Sequence, residues 1–312
     1  MQLSGSSMTQ SPSTKTVGFN QSAGAALADP AEEYLSLVAQ VERHVREGKV
    51  EPPMLPEAAI KVREIVAVEG PIKDIAAVLQ RDPALAASVL RYANSVAFAG
   101  LKEIVDLSQA VARLGLNAVE QTVLAISAKS AFRANDADDE KLFRALWEHS
   151  ITAAVAARRL AARAGDVDRE KSFLSGLLHD IGKVVLLRCA TALRKAPGQK
   201  HAFTEPVLMQ LFDSLHREAG AAFLKSWNIP EPIQAVVARH HDVEFDGGDS
   251  RLIAVVAFSD AVAWKLGATL NPEREMLLEE LPAAKYLAID PASMESLLEE
   301  IRDDVATFRA AF

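Results

Sequence analysis

Between Phe173 and Leu187 the chain reads Phe-Leu-Ser-Gly-Leu-Leu-His-Asp-Ile-Gly-Lys-Val-Val-Leu-Leu, which is apolar enough on every side to form a helix buried in a core. His179 and Asp180 stand in its middle. A carboxylate enters such surroundings only with a compensating partner, because desolvating an unpaired charge is costly. The rest of the fold must supply that partner.

Other helical stripes repeat the pattern. His149 falls in the row Leu142, Leu146, His149, Ala153, Ala156, Leu160, whose steps of three and four mark one face of a helix. His216 shares a face with Gly220, Phe223 and Trp227; His240 and His241 extend Ile233, Val236 and Val237; Asp260 extends Ile253, Val256 and Ala257. One polar residue on an apolar stripe is usually a satisfied core residue. Seven on five predicted helices are another matter, since each buried without a partner costs about 1–3 kcal/mol or more. They require one another, or an ion.

Alanine and leucine dominate this chain and only 6% of it is aromatic, a balance that favours packed helices over sheet. The expected fold class is all-α. At 312 residues there is length for two domains, or for one large domain with subdomains. The formal charge is −8 and no basic run exceeds two residues, which argues against nucleic acid as a direct partner. The single cysteine, Cys189, excludes an intrachain disulfide and suits a reducing compartment. No apolar run reaches the roughly 18 residues of a membrane span, and no signal-peptide pattern opens the chain. Together these features predict a cytoplasmic protein without membrane partners.

Residues 1–28 are rich in Ser, Thr, Gln, Gly and Ala, a composition expected to stay disordered. Residues 29–49 predict a helix opened by Asp29-Pro30 and stopped at Gly48. A linker, Pro52-Pro53-Met54-Leu55-Pro56, then leads into a helical subdomain over 50–136. Its predicted helices are Leu55 to Val68, Ile72 to Gln80, Ala84 to Asn94, Leu107 to Leu114 and Ala118 to Phe132. A second subdomain over 137–268 carries longer ones: Lys141 to Ala164, Lys171 to Cys189, Leu208 to Trp227, Glu231 to His241 and Arg251 to Leu266. Residues 269–312 form an acidic, proline-punctuated extension ending in a helix from Pro291 to Ala310.

Histidine and aspartate together suit a divalent transition metal (Fe, Mn, Zn, Co or Ni) better than Ca or Mg. The candidate ligands are His149, His179, Asp180, His216, His240, His241 and Asp260. Seven exceed what a mononuclear site with an open position needs, which leaves room for one ion or two.

At His179-Asp180-Ile181-Gly182-Lys183 the sequence resembles the HD superfamily of metal-dependent phosphohydrolases. That family's signature is a histidine, a His-Asp pair and a distal aspartate. His149, His179, Asp180 and Asp260 occupy those places in order, and His216, His240 and His241 match the positions that make the related HD-GYP site binuclear. The closer resemblance is to HDOD proteins, HD-related signalling output modules of bacteria. It is carried by the Pro-rich entry, Asp82-Pro83-Ala84-Leu85, the segment Leu107 to Gly115, Leu146-Trp147-Glu148-His149-Ser150, and Gly176 to Gly182. His216-Arg217-Glu218-Ala219-Gly220, Trp227-Asn228-Ile229-Pro230 and His240-His241 complete it, over about residues 51–267. The chain lacks the Gly-Tyr-Pro of HD-GYP phosphodiesterases, so cyclic di-GMP hydrolysis is not expected.

The resemblance implies an HD-like helical bundle with an N-terminal helical subdomain, read as a stand-alone signalling module with a protein partner. The alternative is a phosphohydrolase acting on a nucleotide or other phosphorylated small molecule. Asp180 and Lys183 are its catalytic candidates, with Lys183 placed to hold a phosphate oxygen. An ion pair between Lys183 and Asp180, or a snorkelling lysine, is the competing reading.

Overall fold

The computed structural model describes residues 56–95, 102–134, 137–195, 204–270 and 276–311, with parts of 38–47. The leader and most of the predicted 29–49 helix lie outside the described residues, as do Pro52 to Leu55. Thirteen α-helices and no strand occur among the described residues. The all-α expectation holds.

The first five are α1 (Glu57–Ala67), α2 (Ile72–Leu79), α3 (Pro83–Ala93), α4 (Leu107–Leu114) and α5 (Leu116–Lys129). Local chemistry sets their starts. The Asp82 carboxylate accepts hydrogen bonds from the Ala84 and Leu85 amides at 3.1 and 3.0 Å, with Pro83 in the first turn, and Asp106 caps α4 through the Gln109 amide at 2.9 Å.

The next six carry or flank the candidate ligands: α6 (Glu140–Ala164), α7 (Arg169–Leu178), α8 (Ile181–Arg194), α9 (Glu205–Ser226), α10 (Glu231–Arg239) and α11 (Ser250–Lys265). The 25-residue α6 is the axis of the bundle, with α7 and α11 packed along it. Ala153, Ala154, Ala156, Ala157 and Ala161 are all buried on α6, and such small side chains let neighbouring helices approach closely. α8 packs along α9. The extension adds α12 (Pro282–Tyr286) and α13 (Met294–Ala311). Leu297, Ile301, Val305 and Phe308 of α13 are buried in the same apolar core that contains Ile75 of α2 and Leu146 of α6.

The polar break before α6 also contributes to packing. Asp139 is buried and accepts hydrogen bonds from Thr191 and Arg194, which fastens the start of α6 to α8. Two predicted helices need correction. The single helix expected from Lys171 to Cys189 is two, because α7 ends at Leu178 and α8 starts at Ile181. Asp180, with φ −103° and ψ 14°, has left the helical path at the junction. Likewise α10 stops at Arg239, so His240 and His241 follow the helix instead of extending its face. No described helix is long and apolar enough to cross a membrane.

Candidate metal centre

The break between α7 and α8 puts the His179-Asp180 pair in a corner. Two glycines allow other backbones into it. A Cβ built on Gly176 would stand 2.8 Å from the Ala153 carbonyl oxygen, so α7 meets α6 at backbone contact. A Cβ on Gly182 would stand 1.7 Å from the His216 carbonyl oxygen and 2.8 Å from the Gly220 amide nitrogen. Only glycine lets α8 and α9 cross there, and that crossing carries His216 towards Asp180. These glycines position the site, a role the sequence reading did not give them. Their spacing within an otherwise bulky apolar run was the available signal.

All seven predicted ligands come together. His149, His179 and Asp180 each offer a ligand atom, and these lie within 4.8 Å of one another; His216, His240 and His241 form a second such group. The Asp180 carboxylate joins the two. Its Oδ2 lies 3.4 Å from Nε2 of both His149 and His179, and its Oδ1 lies 3.7 Å from Nε2 of both His216 and His240. Asp260 faces the first group, with Oδ1 3.1 Å from His149 Nε2.

Four of the five imidazoles are oriented from behind by backbone carbonyls. Nδ1 of His149 lies 2.8 Å from the Ala268 oxygen, that of His179 2.7 Å from Gly176, that of His216 2.5 Å from Phe212 and that of His240 3.0 Å from Val237. A carbonyl only accepts, so in the neutral ring Nδ1 holds the proton and Nε2 presents a bare lone pair. The Nε2 atoms nevertheless face each other, at 3.1 Å for His149 and His179 and 3.3 Å for His216 and His240. His241 Nε2 is 3.1 Å from His216 Nε2. Lone pairs so placed repel unless a proton or a metal ion lies between them. Ligands about 2.1 Å from a tetrahedral ion stand about 3.4 Å apart, which matches this spacing. The buried oxygens Asp180 Oδ1 and Asp260 Oδ1 have no hydrogen-bond partner, as befits oxygens reserved for an ion. The donor set fits one or two divalent transition metals.

Without an ion, protons must balance the charge. Burial works to lower the His179 pKa, but the Asp180 carboxylate outweighs it, with Asp260 adding to the effect, and the value is pushed up to about 10. Burial pushes His216, His240 and His241 down to about 4. Burial opposes ionisation of Asp180 too, yet Lys183 and then His179 hold its carboxyl well below the usual range.

Burial is uneven across the site. His149, His179, Asp180, His216 and His240 are buried, whereas the His241 side chain is exposed although its Nε2 faces His216. The cause is the end of α10 at Arg239, after which the two adjacent histidines no longer share one helical face. The Asp260 and Lys183 side chains retain 15% and 16% exposure, which places the open side of the cradle at His241, Asp260 and Lys183. Lys183 Nζ donates to Asp180 Oδ2 at 2.5 Å, so in this state it is the ion-pair partner that was one of its two sequence-based readings.

Comparison with known proteins agrees with this architecture. The HDOD domain family model matches residues 53–243, well over half of the chain. A Treponema pallidum protein described as uncharacterized is 29% identical over 217 residues; the match covers 67% of this chain but only 41% of that protein. A Shewanella amazonensis crystal structure, provisionally named a metal-dependent phosphohydrolase, superposes with a TM-score of 0.75 at 20% identity, covering 89% of this chain and 99% of the other. A Geobacter sulfurreducens HDOD domain protein of unknown function gives 0.64 at 23% identity, covering 90% and 97%. A Marinobacter aquaeolei protein provisionally named for signal transduction gives 0.63 at 20% identity, covering 92% and 66%. At these identities the structural matches establish the fold alone. The extended family match, joined to this fold, shows that the chain belongs to the HDOD domain family.

Proposed function

We propose that this protein is a signalling output module that retains a two-ion HD-type metal centre and uses it to bind a phosphorylated small molecule, with a protein partner reading the result. The observation that carries the proposal is the convergence of imidazole Nε2 atoms on two points joined by one carboxylate, Asp180. His149, His179, Asp180 and Asp260 would hold one ion; His216, His240, His241 and the other oxygen of Asp180 would hold the second. Divalent ions bound there would neutralise phosphate charge and lower the pKa of a bound water.

The chain's own residues account for the rest. Backbone carbonyls fix four rings, so little reorganisation accompanies binding. Lys183 balances Asp180 and brings a cation to the open side, where an anionic ligand arrives. A module that acted only through its outer surface would have no use for so many buried polar side chains.

Hydrolysis is the second reading, and one observation favours it. The cradle is open at His241, Asp260 and Lys183, so a water polarised by the ions would have access to a ligand bound on that side. The test is binding and turnover of phosphomonoesters and phosphodiesters by the full chain loaded in turn with Mn, Fe, Co, Ni or Zn. Binding that disappears in Asp180→Ala is expected. Turnover with the same dependence would select the second reading over the first, and absence of binding with every metal would overturn both.

A further inference from the structure

The four carbonyls that orient imidazole rings are not equivalent. Those of Gly176, Phe212 and Val237 stand three or four residues before His179, His216 and His240, so each of these pairs is fixed within its own stretch of chain. The acceptor for His149 Nδ1 is the Ala268 carbonyl, 119 residues away in sequence and 2.8 Å away in space. His149 therefore keeps its ring orientation only while the end of α11 stays seated on α6.

That end is built on Gly267. α11 closes with two hydrogen bonds, from the Gly267 amide to the Trp264 carbonyl and from the Ala268 amide to the Ala263 carbonyl, each at 3.0 Å. A closing turn with this pair of bonds needs a left-handed residue just past the helix, and Gly267 supplies it with φ 84°. Ala268 is then buried in one small cluster with Ala263 and with Ala153, which lies one turn beyond His149 on α6. Three methyl groups are all that separates the backbones there, so the carbonyl reaches the ring. No atom lies within 4 Å of a Cβ built on Gly267, so glycine is needed there for backbone conformation and not for packing space. The same helix carries Asp260, whose Oδ1 lies 3.1 Å from His149 Nε2. One helix thus addresses both nitrogens of the His149 ring, Nε2 through Asp260 and Nδ1 through Ala268.

We infer that Gly267 is a positioning residue for the metal position of His149, His179, Asp180 and Asp260: its left-handed turn aims the Ala268 carbonyl at His149 Nδ1, which keeps the proton on that nitrogen and the Nε2 lone pair towards the ion. The inference rests on the metal-centre reading above, and adds to it a residue with no ligand atom that sets the affinity of one position and not of the other. When the turn leaves this conformation the carbonyl swings away, and the ring can exchange tautomers or rotate, either of which withdraws the donor. Loss of an outer partner of this kind costs about 10–100-fold in metal affinity. His216 and His240 take their orienting carbonyls from their own helices, so the second position keeps its affinity.

The test is zinc titration of the metal-stripped full chain against a competing chelator in two backgrounds: His241→Ala, where the His149 group keeps all its donors, and Asp260→Ala, where the His216 group does. In the first background Gly267→Val, a β-branched residue that avoids the left-handed region, should weaken zinc binding by about 10–100-fold. Gly267→Ala should weaken it by less, and Gly267→Asn, a side chain that tolerates this conformation, should bind nearly as the unsubstituted background does. In the second background none of the three should change the affinity. Circular dichroism checks folding, and if Gly267→Val does not fold, the comparison of Gly267→Ala with Gly267→Asn decides. The assignment is overturned if the folded Val and Ala variants bind as tightly as glycine in the first background, or if Asn weakens binding as much as Ala. Equal weakening in both backgrounds also overturns it, since that is a general loss of stability. If neither background nor the parent chain binds zinc, the metal-centre reading itself falls, and this assignment falls with it.

Discussion

Gly182 and the carbonyl of His216 are so close that a single added methyl carbon would stand 1.7 Å from the oxygen. This contact ties the helix that follows Asp180 to the helix that carries His216. Gly182→Ala must push α8 and α9 apart, and because backbone lies on both sides no rotamer change relieves it. The expected cost is at the upper end of the overpacking range, about 3 kcal/mol. Thermal unfolding should show a lowered melting temperature, and metal analysis a selective loss at the His216, His240 and His241 group.

His241 allows the two halves of the centre to be separated. It is exposed, so His241→Ala leaves the core intact while removing one donor of the second group. Elemental analysis of the purified variant should show metal content falling from two ions per chain towards one. The His149, His179 and Asp180 group keeps all its donors.

The metal-stripped protein should be most stable near pH 6.5. His216, His240 and His241 have folded-state values near 4 against 6.5 for an ordinary imidazole. Between those values the unfolded chain binds more protons, so stability falls as the solution is acidified from 6.5 towards 4. His179 has the opposite sign. Its folded-state value is raised to about 10, so its contribution is fully present below 6.5 and is lost as pH rises through 10. Urea midpoints measured across this range in a chelator should trace a maximum, and bound metal should remove the alkaline decline by replacing the His179 proton.

Arg63 of α1 reaches across to the end of α9. Its Nη1 donates to the Trp227 carbonyl at 2.9 Å and its Nη2 to the Asn228 carbonyl at 2.7 Å, while Nε lies 3.4 Å from Glu120. Asn228 holds a left-handed conformation, φ 50°, that presents its carbonyl to this grip. Arg63→Ala leaves those acceptors without the guanidinium and should cost about 1–2 kcal/mol. Denaturant titration should register that loss with metal content unchanged, because none of the seven ligands touches Arg63.

Helical periodicity was enough to pick out the residues that converge as candidate ligands, because a histidine or aspartate on an apolar stripe is placed by the same rotation that buries its neighbours. His149, His216 and Asp260 lie on the helices predicted for them. Periodicity fails where a helix ends. His179 and Asp180 occupy a corner between two helices, and His240 and His241 follow α10, so the 100° step that relates helical neighbours does not describe either pair. The bridging position of Asp180 depends on that corner. It also depends on Gly182 meeting His216, a contact between residues 34 apart that no local pattern encodes. The ion pair between Lys183 and Asp180, one of the readings open in the sequence, is formed at 2.5 Å.

The central claim is that one carboxylate joins two metal positions, and elemental analysis of the full chain purified without added metal tests it most directly. The parent protein should hold two divalent transition-metal ions per chain. Asp180→Ala, which removes an oxygen from each position, should hold none while staying folded by circular dichroism. A metal-free parent, or an Asp180→Ala variant with the same metal content as the parent, would contradict the account.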